Sequence, residues 1–153
     1  YKIVRDSKNA NVLSMMGVLE HLVNPEIMLD SFKKSSIKYL YILVPMFSLS
    51  VFLENSFTNV FPRILSGGHT HAYTEGSFAY LTKKYNLKII GEYWFGTDIP
   101  DLYRSLICSG KILNKEIYHK QINEKLFKYV DDLQSVLDKN KVCSESHIIF
   151  EKK

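Results

Sequence analysis

Five side chains of this 153-residue chain have the types and spacing for proton transfer or ligand binding. Glu20 and His21 stand side by side in MMGVLEHLVNPE (15–26), at the end of an apolar run and just before a helix start. His69 and His71 flank one threonine in SGGHTHAYT (66–74), and Asp98 sits in the turn GTDIPDLYR (96–104). An imidazole titrates near operating pH, so a histidine beside a carboxylate can take a proton from a hydroxyl or an amine. The same residue types gathered in space could ligate a divalent metal. Two histidines separated by one residue point to opposite sides of an extended segment, so His69 and His71 need not serve one site. The plainer reading has Glu20 capping a helix, His21 solvated, and Asp98 paired with Arg104 across its turn.

These side chains need elements to hold them. Residues 11–16, NVLSMM, read as a short buried strand. Asn24 and Pro25 look like an N-cap with proline at the first helical position, and the helix that follows places Met28, Leu29 and Phe32 on one face. Residues 37–44 form a second apolar strand, ended by Pro45, which cannot donate to a ladder. Residues 46–74 lack clear periodicity and read as a functional loop or a lid with short helices. Thr74 caps a helix over 75–85 with Phe78, Leu81 and Tyr85 in one stripe, and Asn86 suits a left-handed C-cap. A third strand covers 87–95, a loop at 96 leads into a helix, and 147–151 is a last strand. Leu126, Val130, Leu133 and Leu137 predict one long amphipathic helix over 115–139. Such alternation implies an α/β fold, with a largely parallel sheet and helices packed on it. Ligands then sit beyond the carboxyl ends of the strands. The loops beginning at Gly17, Met46 and Gly96 are predicted to converge there.

Composition sets limits. The chain is 46% hydrophobic and 13% aromatic, hence globular rather than disordered. A net charge of +4, with interspersed signs, reads as a solvated surface and gives no ground for a nucleic-acid partner. The most apolar run, 39–53, is broken by Pro45 and two serines and is shorter than the roughly 20 residues of a membrane span, so no membrane partner is expected. Cys108 and Cys143 lack metal-ligand spacing and read as free thiols of a reducing, cytoplasmic compartment. The first residue is Tyr1 rather than Met, so the sequence reads as a fragment or a processed product.

The segment NVLSMMGVLEHLVNPEIMLDSF (11–32) resembles the fourth strand and following helix of class I S-adenosylmethionine-dependent methyltransferases, where V-L-E-H is often followed by a hydrophobic residue and a proline. GGHTHAYTEGSFAYLTKKYNLKIIGEYWFGTD (67–98) resembles a later portion of the same domains. DLYRSLI (101–107) and the tail from residue 133 look like the closing portion of methyltransferases from bacterial surface-sugar gene clusters.

The resemblance implies a partial Rossmann-like methyltransferase sheet, of mainly parallel strands with the last antiparallel, flanked by helices. Residues 1–153 would be a single domain, the C-terminal portion of a methyltransferase domain. The glycine-rich cofactor loop and the acidic residue that holds the ribose have no counterpart here. The fragment alone is therefore expected to bind S-adenosylmethionine weakly or not at all, and the missing N-terminal half is an expected partner. The implied reaction is methyl transfer to a small-molecule or sugar-like acceptor. Met16 and Gly17 would lie by the cofactor's methionine portion; Glu20, His21 and His71 would be catalytic; His69 and Asp98 would contact the acceptor. Some related enzymes acting on RNA 3′ ends or quinone precursors hold a divalent ion with a Glu-x-x-Glu-His run and a later His. Gly17 stands at the first Glu of that run, which removes a ligand, and no metal is assigned. The competing readings are a catalytically silent binding or assembly module, and a metal-dependent methyltransferase of RNA or phenolic acceptors. A homodimer is allowed for among the partners.

Overall fold

A computed structural model describes residues 1–65, 67–110 and 115–153; Ser66 of the SGGHTHAYT motif lies outside the described residues. The elements in order are α1 (Lys2–Asp6), β1 (Val12–Met16), a 3-10 turn (Leu19–His21), α2 (Pro25–Lys34), β2 (Tyr39–Pro45), α3 (Leu49–Ser56), α4 (Glu75–Tyr85), β3 (Leu87–Phe95), α5 (Asp98–Ser109), α6 (Lys115–Lys125), a 3-10 turn (Phe127–Tyr129), α7 (Val130–Lys139) and β4 (Glu145–Lys152). The sheet order is β1-β2-β4-β3. β1 runs parallel to β2, and β4 runs antiparallel to it. This is the α/β, partial Rossmann-like arrangement that the resemblance implies, including the antiparallel last strand.

The chain divides into two units. The first comprises Tyr1–Met46, Gly68–Tyr93 and Glu145–Lys153. Its core follows from strand alternation. Leu40, Ile42 and Val44 of β2 are fully buried, as are Ile148 and Phe150 of β4, while the intervening Tyr39, Tyr41 and Leu43 are half-buried. Leu29 and Phe32 of α2 and Phe78, Leu81 and Tyr85 of α4 are also buried in this unit. Fully burying one such side chain contributes about 2 kcal/mol. α4 begins at a reciprocal Thr74–Ser77 capping box and ends on Asn86 in the left-handed conformation, φ 54°.

The second unit comprises Phe47–Gly67 and Trp94–Ser144, and its regular elements among the described residues are helices and the end of β3. The single helix expected over 115–139 is instead two helices interrupted at Phe127–Tyr129. The interruption resets the helical phase. Val130 is buried, Leu133 is 42% exposed, and Gln134 turns inward, its Oε1 accepting the Ile99 N–H of α5 at 2.9 Å. Among the described residues no helix is long and apolar enough to cross a membrane.

Candidate functional site

The first unit brings two distant loops together at the ends of its adjacent parallel strands. β1 ends at Met16, which is 54% exposed, and Gly17 follows with φ 62°, a backbone region that other residues enter only at a cost. The Gly17 N–H donates to Leu43 O of β2 at 3.2 Å. The turn Leu19–His21 then buries Leu19 completely and fixes its neighbours.

From the other side come residues 68–71. The Thr70 N–H donates to Glu20 O at 2.8 Å, and Thr70 Oγ1 lies 2.7 Å from the same oxygen and 3.0 Å from Leu22 O. His21 Nδ1 lies 2.7 Å from Gly68 O, and a Cβ at Gly68 would sit 3.3 Å from that nitrogen. A side chain at position 68 would therefore require the His21 ring to give by a few tenths of an ångström. The His21 and His69 rings meet edge to face at 4.7 Å. Glu20, His21 and His69 each offer one ligand atom, and these atoms lie within 4.8 Å of one another. Such a trio could relay a proton or contribute three ligands to a divalent cation.

The electrostatics of the trio follow from proton counting. Gly68 O can only accept, so His21 Nδ1 carries a proton and donates it. The neutral ring then presents a bare Nε2 lone pair to Glu20 Oε1 at 3.8 Å. The contact becomes attractive once Nε2 takes a proton or a cation. Glu20 is 3% exposed, and its Oε2 is buried without a hydrogen-bond partner among the described residues. The Tyr73 hydroxyl is a second such buried atom. Burial pushes its pKa well up, and the Glu20 charge adds to the shift.

His71 lies beside this lip rather than in the trio, on the wall of a cleft of about 570 Å³ lined also by Val23, Leu29, Tyr73, Tyr80 and Leu81. The three loops expected to converge are therefore seen in part. The Gly17 loop and the Gly68–Thr70 end of the second loop meet within the first unit.

Asp98, expected at the acceptor, lies in the second unit and is enclosed by donors of its own chain. It is 0% exposed. Its Oδ1 accepts from Ser48 Oγ at 2.6 Å, Ser50 N at 3.0 Å and Ser50 Oγ at 2.8 Å, and its Oδ2 accepts from Ser144 N at 2.8 Å. A Cβ at Gly96 would lie 2.6 Å from Asp98 Oδ2 and 2.6 Å from Ser144 N, so the glycine keeps this network closed. Arg104 does not pair with Asp98 as the turn suggested. It meets Asp101 at 3.3 Å, as Arg63 does.

Sequence reasoning passed over Thr70 and Gly68, which join the two loops, and Tyr73. A threonine between two histidines carried a faint signal. Nothing local marks Tyr73, whose burial is a tertiary property.

No family model matches the chain, and no curated protein matches it. Among solved structures, a protein of Galdieria sulphuraria assigned as a sarcosine dimethylglycine methyltransferase aligns with 99% of this chain at 9% identity and TM-score 0.47. The small RNA methyltransferase HEN1 aligns with 98% at 12% identity and TM-score 0.48, and the MccD protein with 98% at 12% identity and TM-score 0.39. The chain spans 57%, 15% and 65% of those chains, respectively. Likeness at this level assigns the chain to no family and gives it no activity.

Proposed function

We propose that this chain is the acceptor-side portion of an S-adenosylmethionine-dependent methyltransferase, acting on a small-molecule or sugar-like acceptor as part of a longer parent chain. The observation that carries the reading is the lip itself. Residues 68–70 are tied to the exit of β1, so that Glu20, His21 and His69 converge beside Met16 and Gly17. The sequence resemblance assigns roles to these same positions.

S-adenosylmethionine, when bound, supplies an electrophilic methyl group on a sulfonium. Met16 and Gly17 would hold its methionine portion, where a residue without a side chain allows close backbone approach. His21 Nε2 would take the proton of the acceptor, with the ring fixed by Gly68 O and the resulting cation stabilised by Glu20. His69, edge-on to His21, would contact the acceptor, and His71 would serve as a second base on the wall of the neighbouring cleft. β1 is a terminal strand of the sheet, and its outer edge is where a further strand and a cofactor-binding loop would add.

Calorimetric titration with S-adenosylmethionine tests the reading, on this chain and on the full-length parent. Binding by the parent and not by this chain is the expected result. Binding by neither sinks the proposal.

A further inference from the structure

We infer that Thr70 is a positioning residue that fixes the tautomer of His71, leaving Nε2 of His71 as a hydrogen-bond acceptor on the wall of its cleft. The argument is a proton count. The Thr70 hydroxyl has one hydrogen and three neighbours: Glu20 O at 2.7 Å, Leu22 O at 3.0 Å and His71 Nδ1 at 2.8 Å. The two carbonyl oxygens can only accept, so the hydroxyl hydrogen goes to them. Thr70 Oγ1 then faces His71 Nδ1 with lone pairs alone, and the contact is a hydrogen bond only if Nδ1 carries the proton. A neutral His71 is therefore protonated at Nδ1 and bare at Nε2. Because Thr70 is anchored through both its N–H and its hydroxyl to the Leu19–Leu22 turn, one side chain sets the geometry of the lip and the protonation pattern of the cleft beside it.

A chemical consequence follows for the ligand. A bare imidazole nitrogen seeks a donor, so the cleft takes a small molecule that presents an O–H or N–H to His71 and lays apolar surface on Val23, Leu29 and Leu81. That this molecule is the methyl acceptor rests on the proposed function; the tautomer does not.

Long-range proton–nitrogen spectra of the histidine-labelled chain in alkaline buffer, where imidazoles are neutral, provide the test. His71 is expected to show a protonated Nδ1 and an unprotonated Nε2. Thr70→Val is expected to move the proton to Nε2, and Thr70→Ser to keep the wild-type pattern. An Nε2-protonated His71 in the wild-type chain overturns the inference whatever the variants do. So does a Thr70→Val spectrum identical to wild type, or a Thr70→Ser spectrum resembling Thr70→Val. In the active parent, Thr70→Val is expected to lower kcat by about 100-fold with the KM for the cofactor unchanged, and Thr70→Ser to restore it. Absence of cofactor binding by the parent would remove the methyl-transfer reading and leave the spectra to decide the tautomer.

Discussion

Glu20 of the first unit and Asp98 of the second are both buried carboxylates near a strand exit, and they are treated in opposite ways. Asp98 receives four hydrogen bonds from Ser48, Ser50 and Ser144, with both oxygens used. Glu20 has one oxygen without a partner among the described residues and holds the other 3.8 Å from a histidine nitrogen. A carboxylate whose lone pairs are met by its own chain holds the fold together. One whose lone pairs are only partly met by its own chain keeps acceptor capacity for water, a proton or a ligand. The contrast is between a carboxylate saturated by its own chain and one that, among the described residues, is not.

Matched isosteric substitutions are the sharpest way to break that contrast. Asp98→Asn leaves Ser48, Ser50 and Ser144 donors facing an amide, and is expected to cost about 3 kcal/mol in urea unfolding. A loss below about 1 kcal/mol would mean that the serines relax to other partners. Glu20→Gln is expected to change stability by less than about 1 kcal/mol, in either direction, since only the 3.8 Å contact and a buried charge are lost. On the proposed function, the same change in the parent chain is expected to lower kcat by about 100-fold. Unaltered turnover would make Glu20 a second anchor and erase the distinction.

Smaller effects probe the frame around the lip. Gly17→Ala meets no steric obstacle, the nearest atom being Glu20 Oε1 at 3.6 Å, so its cost is that of the left-handed backbone alone, about 1 kcal/mol. A larger loss in thermal melts would show that the backbone there is held more tightly than φ implies. The smallest effect is expected from Glu26, an exposed residue whose carboxyl is held below its ordinary 4.5 by hydrogen bonds from Lys84 and Tyr80. With the folded value lowered, its contribution is present above the unfolded value and fades as pH falls through the folded one. Glu26→Gln should flatten stability against pH below about 4.5, and 1 M salt should shrink the difference between variant and wild type. Parallel curves for the two proteins at low salt would show that the pair does nothing.

Much of the frame is legible in the sequence because its causes are local. Thr74 and Asn86 bound α4, Asn24-Pro25 starts α2, and the run from Leu87 to Phe95 gives β3 its full length. The break between α6 and α7 is not legible in the same way. Leu126, Val130, Leu133 and Leu137 keep a helical period through it, and only the Gln134–Ile99 hydrogen bond reveals which face turns inward. α3 lies inside the segment read as a functional loop or a lid with short helices, and its start is marked by the Ser48 cap rather than by periodicity. At the site, Glu20, His21 and His69 stood out by residue type, and Gly17 by its place after a strand.

Local sequence was enough to mark the ends of α2 and α4, the inward positions of β2 and β4, and the side chains able to exchange protons. Those properties depend on neighbours a few residues away. Tertiary structure decided which of those side chains are enclosed by donors of their own chain. The donors that saturate Asp98 lie 46 to 50 residues from it, and the threonine that joins the lip lies 50 residues from Glu20. A carboxylate's lone pairs are filled by whatever packs against them, and packing is set by the sheet order and the loop ends it brings together.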